Sequence, residues 1–418
     1  VAHDASEGLS PDGWLPDLVT VGALTKVFTP ALVDEVLEEL DAVEVRRRSL
    51  PSRMVVYFVL ALWLFRGRNC GYLQVLDRLV AGLYYQRRAA ALAEGRTPDV
   101  SWRYPSQPAV SKARTRVGPE VPRVLFERVA GPVGEPGQPG VFLGDLRMVV
   151  IDGAVSSLPR DAENRAVFGG PSNSDGPGAF PQVRWVVMAE AGTQSLLGAT
   201  FGAYTVGETT LLRDLLALLG PGMLTLADRN FLSYALARDV LATGVHVLWR
   251  ASASFTLRPV RKQKDGSYLS TLRPGRGERG APITVRIIEY TVHTRTVTTN
   301  EDGTERVETS SELFCLVTDL LDPDEYPMLD LARAYPVRWT AEIIIGHHKT
   351  DMGRDQPVLR SKGAEHVAQE MWALFAVYQG LQRLIGTAAG ALGAPPDTIS
   401  FPTALNAAAD SVGAASPP

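Results

Sequence analysis

The run LRMVVID, Leu146 to Asp152, decides the fold. Its β-branched and apolar residues predict a short buried strand that stops at an acid. Downstream, VRWVVMA (Val183 to Ala189) predicts another strand, and MLTLA (Met223 to Ala227) a third that stops at Asp228. Helical periodicity fills Thr209 to Leu219 and Phe231 to Thr243. Strands that alternate with helices give an α/β class. An acid at a strand end in such a sheet faces a ligand crevice. Taken singly, Asp152 and Asp228 also fit acids that merely cap loops.

Around this centre the chain divides by composition. Residues 1–20 read as a tail and 21–139 as a helical region, with helices expected over Pro30 to Ala42 and Pro51 to Phe65. Ser106 to Val117 has a capping-type start and carries Lys112, Arg114 and Arg116. The Gly- and Pro-rich stretch Val133 to Asp145 reads as a linker. Residues 140–251 form the first part of the α/β core. From 252 to 325 strand-like runs such as Ile283 to Tyr290, with turn signals at Asp265-Gly266 and Asp302-Gly303, predict a β-rich insertion. Residues 326–385 return to helix and complete the core. Residues 386–418, rich in Ala, Gly and Pro, read as a marginal helix and a loose tail.

At 418 residues and 45% hydrophobic content, the chain is long enough for two or three folding units of the usual ~100–200 residues. The longest apolar run, Val55 to Phe65, is too short to span a bilayer, and Val1 to Pro16 lacks the order of a signal peptide, so a soluble cytoplasmic protein is expected. Cys70 and Cys315 are far apart and support neither a disulfide framework nor a zinc site. The net charge of −4 conceals segregation. Residues 1–44 hold ten acids and one Lys (1 − 10 = −9), whereas residues 45–128 hold sixteen Lys or Arg and five acids (16 − 5 = +11). A basic block containing Arg46, Arg47, Arg48, Lys112, Arg114 and Arg116 has the charge to track DNA phosphates; the alternative is a solvated helical surface.

Tyr335 to Lys349 reads YPVRWTAEIIIGHHK. On a helix at ~100° per residue, Tyr335, Arg338, Glu342 and Lys349 fall within an arc of roughly 60°. A carboxylate is thereby flanked by two cations inside a mostly apolar segment, where an unpaired charge is costly. An exposed ion-pair stripe accounts poorly for that setting. His347-His348 completes no zinc motif, because neighbours on a helix point ~100° apart.

These residues resemble the acidic-triad (DDE) transposases of the insertion sequence 4 family. The likeness lies in IDGA with Asp152, in LADRNF with Asp228, and in the signature Tyr, two residues, Arg, three residues, Glu, six residues, Lys, which Tyr335, Arg338, Glu342 and Lys349 fill. VLRSK (Val358 to Lys362) with the Gln369-Glu370 helix and VFTPALVDEVLEEL (Val27 to Leu40) are similar to the family's two ends. The resemblance implies a ribonuclease H-like catalytic core interrupted by the β-rich insertion and preceded by a helical DNA-binding domain. It implies two Mg²⁺ ions, replaceable by Mn²⁺, with Asp152 bridging both and Asp228 and Glu342 each completing one site. Two such ions favour oxygen ligands and serve an in-line displacement at phosphorus. Arg338, Lys349 and Tyr335 would hold the cut DNA end, with Arg250, Arg360 and Lys362 as further DNA contacts. Phe314, in ELFCLVTDL, stands where hairpin-forming relatives typically carry a Trp that stacks on a flipped base; packing inside the insertion is its other reading.

The expected partners are double-stranded DNA at the element ends, target DNA, and a second copy of the chain in a synaptic dimer. Neither a membrane nor a nucleotide cofactor is expected, since no phosphate-binding Gly loop is present. Two alternatives remain at this level: a catalytically silent DNA-binding descendant, against which the intact signature speaks, and a ribonuclease H-like nuclease, which would not need the end-binding stripe.

Overall fold

A computed structural model describes residues 15–46, 48–67, 70–95, 97, 102–174, 176–299, 305–354 and 356–413. Five helices come first: α1 (Pro30–Glu39), α2 (Ser52–Leu64), α3 (Tyr72–Ala93), α4 (Gln107–Val117) and α5 (Glu120–Val129). Then follow β1 (Phe142–Leu143), β2 (Leu146–Ser157), α6 (Ala162–Phe168), β3 (Ser172–Asn173), β4 (Gly176–Pro177), β5 (Gln182–Glu190), β6 (Leu196–Ala203) and α7 (Glu208–Leu212). Next are β7 (Met223–Ala227), α8 (Tyr234–Leu241), β8 (His246–Arg250), β9 (Arg261–Lys262), β10 (Tyr268–Leu272), β11 (Ile283–Thr299) and β12 (Glu305–Thr318). The last helices are α9 (Met328–Ala334), α10 (Trp339–Gly346), α11 (Ala364–Leu392) and α12 (Phe401–Gly413).

One mixed sheet organises the molecule, with strand order β6-β5-β2-β7-β8-β12-β11-β10-β9. β6, β5 and β2 are antiparallel, and β7 and β8 then add parallel to β2. Alternation along β2 sends Met148 and Val150 to one face, against α11 and the N-terminal helices, and Val149 and Ile151 to the other, with the residues of α8. The β-rich insertion is no separate body. Its β12 pairs antiparallel with β8, Val317 opposite Trp249, so the insertion lengthens the core sheet. Asp265-Gly266 turns the chain from β9 into β10, whereas Asp302-Gly303 lies outside the described residues.

The helical region also shares the core. α2 is apolar almost all round and buried throughout except at Arg53, and Trp63 donates from Nε1 to the carbonyl of Glu370 on α11 at 2.7 Å. A single hydrophobic cluster joins α1–α5, one face of the sheet and α11. Separate cores for the helical region and the α/β part, as length alone predicts, are therefore not what this chain builds.

The marginal helix expected near the end of the chain is present and well packed; the residues after Gly413 lie outside the described ones. α11 runs on to Leu392, and α12 buries Phe401, Leu405, Ala408 and Val412 against the rest of the molecule. Ser411 Oγ accepts a hydrogen bond from the Ala23 amide at 2.7 Å and donates to Ala408 O at 2.6 Å. Apolar residues three and four apart gave α12 its face; the Ala- and Gly-rich surroundings hid it. Among the described residues, no helix is long and apolar enough to cross a membrane.

Candidate active site

Parallel pairing between β2 and β7 ends at Val150 opposite Leu226, so Asp152 and Asp228 each stand two residues beyond it and are level with each other. β2 does not stop at Asp152 as expected. It continues to Ser157 because β5 still pairs with it there, Asp152 opposite Val187. Asp152 is thus held in a rigid strand, on the face that α10 covers. The Gly153 amide donates to its Oδ1 at 2.8 Å. Asp228 begins a turn in which Asn230 donates to both its oxygens, from N at 2.8 Å and from Nδ2 at 3.1 Å.

The third carboxylate arrives from the helix that crosses this end of the sheet. Tyr335 to Arg338 form a 3₁₀ turn, Trp339–Gly346 an α-helix, and His347 to Asp351 a π turn, so the helix expected over Tyr335 to Lys349 is in fact built of three kinds of turn. Arg338 Nη2 donates to Glu342 Oε1 at 2.5 Å, while Nη1 lies 3.7 Å from Asp152 Oδ2. One guanidinium therefore spans two of the three acids.

The electrostatics follow from this crowding. Burial raises the Asp152 carboxyl to about 6; the Gly153 amide and Arg338 oppose the rise, and Asp228 and Glu208 add to it. For Arg338 burial disfavours the charge, but the bond to Glu342, with Tyr335 and Asp152 nearby, outweighs it and raises the pKa. Burial lowers the Lys349 ammonium, against the pull of Asp152 and Glu208. Carboxylate oxygens are the ligand type a hard cation favours. Among the described residues, no three His, Cys, Asp or Glu side chains are gathered closely enough to hold an ion as they stand. Arg338 lies between Asp152 and Glu342 instead.

A groove of about 580 Å³ opens in front of these groups and is lined, among others, by Asp228, Arg250, Tyr290, Phe314, Trp339 and Glu342. Phe314 is half-buried and stacks on Tyr290, centroids 5.4 Å apart, with the Arg250 guanidinium 3.9 Å over its ring. Arg250 also pairs with Glu312. Phe314 thus belongs to the groove wall and not to an interior core of the insertion.

The structure gives several of the expected DNA contacts partners within the protein. Tyr335 is buried, and its hydroxyl donates to Ala227 O at 3.2 Å, fastening the helix to the end of β7 one residue before Asp228. Arg114 is wholly buried and donates to Tyr72, Ser361, Gln369 and His366 O, so it ties α4 to α11. Arg116 donates to Leu50 O at 2.6 Å and is half-buried. Arg360 is likewise half-buried, with Nη2 on Phe65 O at 2.6 Å. Trp249 is a core residue that donates to Thr225 Oγ1. Arg46, Arg48, Lys112 and Lys362 are exposed; Arg47 lies outside the described residues. Acids of α1 neutralise part of the basic block, Asp34 with Arg53 and Glu35 and Glu39 with Arg128.

Three groove or centre residues escaped the sequence reading. Tyr290 and the exposed Trp339 carry no pattern beyond adjacency to Phe314's partner strand and to Arg338. Glu208, in the first turn of α7, packs against Gly153 and pairs with Arg184 at 3.1 Å; only its place after a strand and Gly207 hinted at it. His348 is buried, its pKa pushed down to about 3 by burial, with its ring stacked on Tyr378.

Residues 18–127 match the family described as Insertion element 4 transposase N-terminal, and residues 144–379 match the Transposase DDE domain. The chain is 27% identical over 390 residues to the Transposase InsG for insertion sequence element IS4 of Escherichia coli (strain K12), covering 91% of this chain and 80% of that protein. It is 28% identical over 206 residues to the Putative transposase InsZ of the same organism, covering 49% of this chain and 62% of that protein. With that domain spanning more than half its length, the chain belongs to the DDE transposases of the insertion sequence 4 family, enzymes that cleave DNA and transfer the cut strand.

Proposed function

We propose that this transposase binds the terminal inverted repeats of its element as a synaptic dimer and moves the element by cut-and-paste through a hairpin at each end. Asp152, Asp228 and Glu342 are its catalytic acids and would hold two Mg²⁺ ions, which Mn²⁺ could replace. The level placement of Asp152 and Asp228 beyond adjacent parallel strands, with Glu342 joined to Asp152 through Arg338, is the observation that carries this reading. The antiparallel β6-β5-β2 unit continued by parallel β7 and β8 supports a ribonuclease H-like core.

Bound divalent metal lowers the pKa of attacking water and stabilises the leaving oxygen. In the first step water's oxygen bonds to phosphorus, the bond to the 3′-oxygen breaks, and that oxygen gains a proton. The exposed 3′-hydroxyl oxygen then bonds to a phosphorus of the opposite strand, closing a hairpin, while that phosphorus loses its bond to the neighbouring 3′-oxygen, which takes up the proton the hydroxyl gives up. The chain's own residues set the geometry. Arg338 exchanges a carboxylate for a phosphate through its forked donors, and Lys349 adds a point charge on the same end. Tyr335 holds the end of β7 and with it Asp228. Phe314, backed by Tyr290 and Arg250, offers a flat face to a base extruded at the sharp bend. Arg46, Arg48, Lys112 and Lys362 contact phosphates farther along the duplex.

The test is Mg²⁺-dependent cleavage and joining of a duplex carrying the element's own ends, compared with Asp152→Ala, Asp228→Ala and Glu342→Ala. Each variant should lose cleavage and keep DNA binding. Substantial cleavage by any of the three removes that residue from the triad.

A further inference from the structure

Lys349 is the one exposed member of three consecutive residues, and the other two are each pinned by an aromatic ring. The His347 ring stacks on Phe401 of α12 at 4.3 Å, and His348 stacks on Tyr378 of α11 at 4.3 Å. Phe401 and Tyr378 touch each other, centroids 5.2 Å apart, so the rings form one block beneath the turn. Hydrogen bonds tighten the arrangement: His347 Nδ1 meets Asp351 Oδ2 at 2.6 Å, and His348 Nδ1 donates to Ile344 O at 2.7 Å. The Met352 amide reaches back five residues to His347 O at 2.9 Å, the widened bond of a π turn. A side chain on Gly353 would collide with the Lys349 carbonyl, so the chain closes the turn only with glycine.

α12 is itself well fixed. Phe401 is buried at its start, Arg354 Nη2 donates to Asn406 Oδ1 at 3.0 Å, and Ser411 ties its far end to Ala23. Helical turns of the π type are strained relative to α and persist when neighbours over-determine them. Here the neighbours are rings from α11 and α12. Lys349 is left as the projecting residue, its ammonium within the field of Asp152 and Glu208.

We propose that α12 is a clamp on the DNA-binding turn, in which Phe401, by stacking on His347, positions Lys349 against the cut DNA end. The inference rests on the reading of Lys349 as an end-binding residue and adds the element that aims it. Phe401 touches no substrate and is a positioning residue.

The experiment measures binding of a pre-cleaved end duplex, at several salt concentrations, to the full chain and to Phe401→Leu, Lys349→Ala and the double variant. Leu preserves an apolar filling but not a flat ring. Phe401→Leu is expected to weaken end binding roughly tenfold and to lower the salt slope by about one, as loss of one phosphate contact does. The double variant should bind no worse than Lys349→Ala alone, because both remove the same contact. A role in stability alone leaves the salt slope of the folded protein unchanged. Parent-like affinity and slope for Phe401→Leu, or losses that add in the double variant, overturn the clamp. If Phe401→Leu melts several degrees lower, His347→Ala removes the stack from its partly exposed side and is held to the same outcomes. Unchanged binding by Lys349→Ala alone refutes the end-binding reading itself and the clamp with it, without touching the three acids.

Discussion

Glu208 fills the space that a side chain on Gly153 would need: a Cβ there would lie 2.6 Å from both Cγ and Cδ of Glu208. Gly153 follows Asp152 directly, so pressure at this contact reaches the strand that carries Asp152. Gly153→Ala is expected to destabilise the fold by about 1–3 kcal/mol, as overpacking does. Glu208→Ala in the same chain should recover most of that loss in urea unfolding. A full loss persisting in the double variant would mean that the glycine is needed for another reason.

Asp152 takes up its proton near 6 in the folded chain against an ordinary 3.8. Between those values the folded state binds more protons than the unfolded one, so stability without metal falls as pH rises. Asp152→Asn should stabilise the metal-free protein above pH 6 by up to about 3 kcal/mol and make no difference below pH 4. Unfolding in EDTA across that range checks the sign. A flat difference between the two proteins would contradict the burial of this carboxyl.

Arg338 sits between two acids and is assigned to phosphate on substrate binding. Arg338→Ala removes a charge-assisted contact of about 1.5–3 kcal/mol, or roughly 10- to 150-fold in end affinity. Arg338→Lys keeps the charge and loses the fork, so it should recover only part. Gel shifts with pre-cleaved ends measure both; parity of Ala with the parent rules the contact out.

Phe314 is half-buried on the groove wall, so its truncation should leave the fold intact. Phe314→Ala is expected to nick the first strand at the parent rate and to lose hairpin product, since stacking of an extruded base contributes ~1–3 kcal/mol. Denaturing gels separate the two products. Normal hairpin yield from the folded variant ends the stacking assignment.

The basic block divides into surface and scaffold. Neutralising Arg46, Arg48 and Lys112 together should weaken DNA binding and flatten its salt dependence without changing the melting temperature. Arg114→Ala should do the reverse, costing several kcal/mol of stability because buried partners lose their donor. A salt slope unchanged in the triple variant would show these cations to be solvated surface.

The strands carrying Asp152 and Asp228 were legible because β-branched runs and strand-end acids are local patterns, and the Tyr335 to Lys349 signature is a spacing within one segment. What it could not convey is partnership. Whether Arg114 faces DNA or Tyr72 depends on where α11 lands, some 250 residues later. Tyr335 is likewise spoken for by Ala227, a residue at the end of β7 more than a hundred positions earlier. Glu208 enters the site through a helix that no motif marks, because its closeness to Asp152 arises only when β2 and β5 align. The insertion's strands were readable by alternation, while their attachment to β8 was not, since sheet order is a long-range outcome.

The bond between Ser411 and Ala23 joins residues 388 apart in the chain. At the ~5–20 residues per second of ribosomal synthesis, roughly 20–80 s separate the making of its two halves. During that interval α1–α5 have emerged, but α11, which closes their core, and α12, which fastens Ala23, have not. Throughout that interval the apolar faces of α1–α5 that α11 and α12 cover stay unfinished, and the helix carrying Glu342 is made only in its later part.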